Sequence, residues 1–479
     1  MSSETDTHGA MASDATDVVI AGTGVAGLSA ATLLADQGLA VTLIAAGQHE
    51  EGEATGTETL AADGGDVMLG CCGHLLSLHR RLGLEGRIRW DRQLHWIEPG
   101  GPIDTLAGDD LPAPLHMLRS LLGLSIFSTG QRVSLLRGML ALMQVSEASR
   151  SRLANQSLAD WLRTHRQAET VIERFWSPLS AVACGGRADR VIAGEAIRLL
   201  QAGLLHHEST YELGVSPVTH AELLAAAKAR IEQAGGRVLA DGGLTRIEVA
   251  DDRVVRLHQA DGQEVPANEA ILSLAPPRLL EAGSDLSRID GRFGQLAGLE
   301  PMPRVDVQLS IATRAGRALM TEPHLIPMDS AVPLILQRGV DQPAGDERVE
   351  HLQAVIPAAG PWIDRSDAQL AADVEAELRR LLPTAAWHEV RGRRIDRRPA
   401  LTYTLPVPPG GPRPSITGSI DNLYLAGGWA DTGWPASLEG AAAAGTAAAH
   451  HVLGKLGRQA PEPVEAQSTP SLLYRLLSG

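Results

Sequence analysis

The chain has 479 residues, 44% of them apolar and 21% charged, enough for two or three domains or one large fold of interleaved lobes. Its 42 cationic and 57 acidic residues give a formal charge of −15, which argues against nucleic acid as a partner, because phosphate contacts need clustered Lys and Arg. Three cysteines, Cys71, Cys72 and Cys184, provide neither a disulfide framework nor metal-ligand spacing, so no metal site is expected and a reducing cytoplasm is the expected compartment.

Residues 1–14 are polar and acidic, lack the apolar stretch of a signal peptide, and are expected to be a disordered start. Val18-Val19-Ile20-Ala21 reads as a buried parallel strand and runs into Gly22-Thr23-Gly24-Val25-Ala26-Gly27, a GxGxxG. Leu28 to Ala35 is small and apolar at helical spacing, Gly38 stops that helix, and Ala40 to Ala45 supplies a second strand. In such a βαβ unit Gly22 permits the turn, Gly24 admits a pyrophosphate to the backbone, and Gly27 lets helix and strand pack closely. The helix then offers free N–H groups and a positive dipole end to the phosphates.

Further along, Leu115 to Met143 is apolar and Leu/Met-rich with Arg119, Arg132 and Arg137; it reads as a buried helical pair or as a peripheral membrane contact. No run is long and apolar enough to span a bilayer. His206, His207 and Tyr211 are expected to pack or face solvent. Ala221 to Ala234 reads as an amphipathic helix closed by Gly235-Gly236. Strands at Arg237 to Ala240 and Leu244 to Val249, then Val254 to Leu257 with a turn at Asp261-Gly262, make a meander. Ala270 to Pro277 reads as a further strand, Arg391 to Arg398 as a solvated basic face, and Thr402 to Ser415, rich in Pro and Gly, as a loop. Asn422 to Leu425 reads as a strand ending in Gly427-Gly428. After Trp429 to Trp434 comes Pro435, suited to a first helical turn, and a small-residue helix from Ala436 onward. Ser471 to Leu477 is a short amphipathic tail.

Four segments together resemble the FAD-dependent amine oxidase and carotenoid desaturase superfamily, and within it the squalene-associated branch, the hydroxysqualene dehydroxylases. They are DVVIAGTGVAGLSAATLLADQGLAVTLI at the start, DGGDVMLGCCGHLLSLHRRLGL at 63–84, Phe175-Trp176-Ser177-Pro178-Leu179, and LYLAGGWADTGWPASLEGAAAAG near the end. The resemblance implies an α/β fold: a Rossmann-like FAD-binding domain of the GR2 type, built from 15–85, 217–284 and 416–456, with an interleaved α+β substrate domain from 86–216 and 285–415 and a tail at 457–479. It implies FAD as cofactor, an isoprenoid lipid as substrate and reductive dehydroxylation of hydroxysqualene to squalene as reaction, with other enzymes of squalene formation as candidate partners and a location in the cytoplasm or at the inner face of the membrane.

The cofactor-binding positions it implies are Gly22, Gly24, Val25, Ala26, Gly27, Ala45, Val238, Gly427, Gly428, Trp434, Pro435 and Ala436. The Val238 strand would offer its backbone to the adenine edge, and Trp434 would pack near the isoalloxazine. Asp431 and Glu439 are the candidate catalytic acids, Glu439 matching a family Glu at the start of the last helix, where a carboxylate also complements the helix dipole. Three family contacts are missing: the ribose-binding acid is Ala45, the phosphate-facing Arg is Glu53 in Glu51-Gly52-Glu53, and the Asp after Ala-Gly is Gly428. Each charge-assisted bond lost removes roughly 1.5–3 kcal/mol, so FAD affinity is expected to suffer unless other residues compensate. Two other readings follow. One is a degenerate flavoprotein fold acting as a binding or scaffold partner in isoprenoid synthesis. The other is a carotenoid-type desaturase or an amine oxidase, the latter disfavoured by 3% aromatics because an amine calls for an aromatic cage.

Overall fold

The computed structural model describes residues 17–45, 54–56, 66–239, 242–314, 318–342, 347–383, 385, 387–461 and 470–477, with only the backbone of 54–56. The expected disordered start at 1–14 and the Glu51-Gly52-Glu53 departure lie outside the described residues.

A five-stranded parallel sheet runs in the order Leu423–Leu425, Glu269–Leu272, Val18–Ala21, Val41–Ile44, Arg237–Leu239. Its central strand is apolar at every position and wholly buried, as a parallel strand covered on both faces must be. The helix Val25–Asp36 covers one face and is itself buried from Ala26 to Ala35, because its small side chains let the C-terminal helix Leu438–Lys455 lie against it. The helix His220–Gln233 starts on a reciprocal capping box, Thr219 with Glu222, and delivers the chain into the edge strand Arg237–Leu239. The expected meander is present as Leu244–Ala250, Arg253–Gln259 and Glu264–Pro266.

The second lobe is built on an eight-stranded sheet ordered Ala54–Gly56, Glu389–Thr404, Glu300–Arg314, Glu347–Pro357, Leu334–Asp341, His324–Pro327, Gln93–Ile97, Ile103–Ala107. It is antiparallel except where His324–Pro327 runs parallel to Gln93–Ile97. A small antiparallel sheet of Asp66–Leu69, Leu213–Ser216 and Arg89–Asp91 draws strands from both sides of the boundary expected at residue 85. The loop expected from Thr402 begins later, because the long strand carries on through Thr404 by pairing with Glu300–Met302. The basic stretch before it is a strand whose cations are paired: Arg391 with Glu347, Arg394 with Asp396, Arg397 with Asp367.

Phe175 and Trp176 are fully buried in a helical core, Phe175 stacked on Trp96 at 5.1 Å and the Trp176 indole donating to Gln167 Oε1 at 3.1 Å. Their role is packing. Leu115 to Met143 forms two helices, Leu118–Gly123 and Thr129–Met143, which bury Leu121, Leu135, Met139 and Leu142 in the same core. All three cysteines are free and buried; a hydrogen bond with Cys71, together with burial, pushes the Cys72 thiol well above its ordinary value, and burial does the same to Cys184. They are small core residues, not nucleophiles.

Candidate active site

The glycine turn after the first strand is held between its neighbours. Gly22 N–H donates to Ile44 O at 2.9 Å and Ser273 N–H to Ala21 O at 2.7 Å. Gly22 has φ +114°, and a Cβ there would stand 2.4 Å from Ser273 O, so only glycine makes this turn. Gly24 is the N-cap of the helix Val25–Asp36. No side chain caps it, and a Cβ on Gly24 would meet nothing within 4 Å. The helix therefore begins uncapped, with open space at Gly24, the arrangement that receives a diphosphate. Behind the turn, a Cβ on Gly27 would lie 2.0 Å from Gly22 O.

The C-terminal signal comes to the same place. A Cβ on Gly445 would lie 2.0 Å from Ala26 O, so the helix Leu438–Lys455 crosses the first helix backbone to backbone, one turn behind its N-terminus. Ala45 closes the second strand by donating its N–H to Leu239 O at 2.9 Å, and Val238, half-buried, pairs with Leu43 on the sheet edge.

The segment from Gly427 to Ser437 is fixed by two arginines that sequence reasoning missed. Arg413, 3% exposed, donates Nε to Trp429 O at 3.1 Å, one terminal nitrogen to Trp434 O at 2.7 Å and Glu195 Oε1 at 2.9 Å, and the other to Gly428 O. Burial pushes the Glu195 carboxyl above its ordinary value, and Arg413 pulls it back only in part. Arg198 lies over the Trp434 ring, 4.7 Å from its centroid, and donates to Thr432 O at 2.9 Å. The buried Trp434 indole N–H has no partner among the described residues, and Pro435 and Ala436 are buried beside it. An unpartnered indole donor, an uncapped helix and bare backbone at Ala45 and Val238 fit a flavin dinucleotide, held more by main chain than by charged side chains. Gly428 has a local reason: a Cβ there would stand 2.8 Å from Thr402 Oγ1 and 3.1 Å from Ser437 O, so Thr402 takes the room that the family's Asp would need.

The flavin-containing amine oxidoreductase family matches residues 25–453 of the chain. The chain belongs to that family. As a flavin-containing amine oxidoreductase it is an FAD-dependent oxidoreductase, with FAD as its cofactor. It is 25% identical over 468 residues to 15-cis-phytoene desaturase of Synechococcus elongatus, covering 91% of this chain and 96% of that one. It is 34% identical to hydroxysqualene dehydroxylase of Rhodopseudomonas palustris over 106 residues, 21% of this chain and 24% of that one. Among solved structures, putrescine oxidase has a TM-score of 0.64 at 14% identity, covering 92% of this chain and 99% of that one. Cyclohexylamine oxidase from Brevibacterium oxydans has 0.62 at 18%, covering 92% and 100%. The Rossmann-like α/β fold with a second lobe is that of these oxidases.

The two candidate acids occupy different settings in this amine oxidoreductase. Asp431 is exposed and its Oδ1 accepts the Gly433 N–H at 3.3 Å, a turn contact. Glu439 is buried, and both its oxygens are taken: Oε1 by His74 N–H at 3.2 Å and His74 Nδ1 at 2.7 Å, Oε2 by Leu75 N–H at 3.0 Å. It caps the N-terminus of the helix Gly73–Arg81 from across the fold. Tyr211 Oη donates to Arg92 O and accepts from Gly108 N–H, each at 2.7 Å, and His206 packs on Tyr474, so neither joins the site.

Among the described residues, Asp91, His95 and His324 bring their ligand atoms within 4.8 Å of one another. Sequence reasoning looked for cysteine spacing; this set has no cysteine, and His324 is 229 residues from His95.

Proposed function

We propose that this chain reduces an isoprenoid lipid, removing the allylic hydroxyl of hydroxysqualene to give squalene. The observation that carries the reading is the position of the C-terminal helix. Ala444, Ala448 and Ala449 pack into the core beneath the dinucleotide turn, while Trp434, Ala442 and Ala443 pack into the apolar, Leu- and Met-rich core of the second lobe. A redox centre on that helix borders greasy interior on its far side, as a lipid substrate requires. The Thr432-Gly433-Trp434-Pro435-Ala436 segment and the 34% identical stretch support the squalene branch.

When bound and reduced by an external two-electron donor, the flavin would supply the hydride. The uncapped helix at Gly24 binds its diphosphate, and Trp434 with the surrounding apolar residues excludes water. In the reaction a C–O bond breaks, a C–H bond forms with the hydride, and the oxygen leaves with one added proton as water. Glu439, with both oxygens engaged, and Asp431, out in solvent, leave the proton to another donor. A desaturase is the second reading, favoured by the phytoene desaturase match along 91% of the chain; the same apolar lining would then hold a polyene whose C–H bond gives hydride to the oxidised cofactor while the neighbouring carbon loses a proton and the C=C bond forms.

The experiment begins with the visible spectrum of the purified protein and an FAD titration. The reduced form is then incubated with hydroxysqualene and the oxidised form with phytoene, with products read by mass spectrometry. Flavin bands or micromolar binding, then squalene, is the expected result. A desaturated product selects the second reading. A colourless protein indifferent to millimolar FAD overturns both and leaves a binding or scaffold role.

Substrate access fits a membrane surface. Ser471 Oγ donates to Ala113 O at 2.6 Å, which sets the C-terminal helix Leu472–Leu477 beside the 111–122 stretch. Leu472, Leu476 and Leu477 are 69%, 71% and 51% exposed, with Leu111, Leu115 and Leu122 also in solvent. No helix among the described residues is long and apolar enough to cross a membrane. Arg119 and Arg475 are exposed in the same elements, so we expect co-sedimentation with anionic liposomes, falling at least about fivefold in Leu472→Asp/Leu476→Asp, since each buried CH₂ contributes ~0.8 kcal/mol. Equal sedimentation of the variant would remove this surface from the proposal.

A further inference from the structure

Away from the flavin site, where the short strands of the eight-stranded sheet meet Arg89–Asp91, three donor atoms converge with a second carboxylate beside them. Asp91 Oδ2 lies 3.0 Å from His324 Nδ1 and 3.4 Å from His95 Nε2, and Glu322 Oε2 lies 3.6 Å from His95 Nε2. A tetrahedral zinc ion with ligands at about 2.0–2.1 Å holds neighbouring donors roughly 3.3 Å apart, and these separations bracket that value.

The surroundings orient the donors. His95 Nδ1 is bonded to Thr105 Oγ1 at 3.1 Å, which turns Nε2 toward the cluster, as outer partners of ligating histidines do. Asp91 is steadied through its other oxygen, which accepts the Gln93 N–H at 3.1 Å. Both imidazoles are buried, at 2% and 1% side-chain exposure, whereas Asp91 at 18% and Glu322 at 33% reach solvent and leave a route in for an ion. None of these residues takes part in the flavin site.

We propose that Asp91, His95 and His324 form a zinc site, with Asp91 Oδ2, His95 Nε2 and His324 Nδ1 as its donors and a water on the Glu322 side in the fourth position. Two imidazoles with one carboxylate and a water are a donor set suited to Zn²⁺. Binding at His324 Nδ1 moves its proton to Nε2 and opens the 3.4 Å contact that Nε2 accepts from His95 N–H. The ion ties together stretches of chain 229 residues apart, so its role is a cross-link within the second lobe.

The test uses the full chain, stripped with chelator and titrated with Zn²⁺ by calorimetry at neutral pH, with Co²⁺ as a spectroscopic probe. One ion per chain at micromolar affinity or tighter, a raised Tm, and the intense visible bands of tetrahedral Co²⁺ are expected. His95→Gln/His324→Gln should abolish that stoichiometric site, and Thr105→Val, which removes no donor, should weaken it by about tenfold. Absence of saturable Zn²⁺ binding by the wild type overturns the proposal. So does binding that persists in the double variant, which would be adventitious capture by other histidines. If the double variant does not fold, the wild-type Co²⁺ spectrum decides: octahedral, weakly absorbing Co²⁺ rejects the site.

Discussion

Replacing Arg413 by Met is expected to lower the unfolding free energy by about 3–5 kcal/mol, the range for breaking a buried ion pair from one side. The guanidinium satisfies three carbonyls, at Gly428, Trp429 and Trp434, and neutralises Glu195. Methionine has similar length but no donor, so the carbonyls lose partners and a carboxylate is left without its cation. Because those carbonyls belong to the segment that carries Trp434, FAD affinity should fall by at least about tenfold, or ~1.4 kcal/mol. Urea unfolding and FAD titration read the two effects separately. Adding Glu195→Gln to the variant should recover part of the stability, since the unpaired carboxylate carries much of the cost, but little of the FAD affinity. A loss below about 1 kcal/mol in the single variant would mean that water replaces the guanidinium and the assignment is wrong.

Gly445→Ala tests the crossing of the two helices. Helix propensity alone favours Ala by about 1 kcal/mol, and overpacking opposes it by about 1–3 kcal/mol or more. Here the second effect wins, because the added Cβ would stand 2.0 Å from Ala26 O, a backbone atom that no rotamer change can withdraw. A net loss of about 2 kcal/mol or more is expected. The helices must part, and the shift displaces the turn at Gly24, so FAD binding should fall by more than about a hundredfold, ~2.7 kcal/mol. Gly454→Ala is the control: it lies on the same helix, its Cβ would meet nothing within 4 Å, and a gain of about 0.5–1 kcal/mol is expected. Equal behaviour of the two variants would show that the close approach carries no energy.

The features legible in the sequence share one property: their pattern is local. The glycines of residues 22–27 lie between two strands within one βαβ unit, and the helix read over Ala221 to Ala234 carries its period in one stretch closed by Gly235-Gly236. The features missed depend on partners far apart. Glu439 caps a helix by accepting from His74, 365 residues earlier, so its carboxylate could be read as catalytic. Arg413 lies in a Pro- and Gly-rich stretch whose composition says only loop, and it acts through carbonyls, which leave no mark on side-chain identity. Gly428 reads as a lost cofactor contact until Thr402, on a strand of the other lobe, is seen in the vacated room. The His/Asp cluster was invisible because its imidazoles come from opposite halves of the chain.

The parallel sheet has its first-made strand, Val18–Ala21, at its centre and its last-made, Leu423–Leu425, at one edge. During synthesis the nascent chain therefore presents an apolar strand with no neighbour on one side until Glu269–Leu272 has emerged, and the crossing at Gly445 waits for the last tenth of the chain. Such non-local pairing is slow, and exposed strand edges invite aggregation. FAD loading is therefore expected only after synthesis, and a ribosome-bound fragment ending before Leu438–Lys455 should bind chaperone rather than flavin.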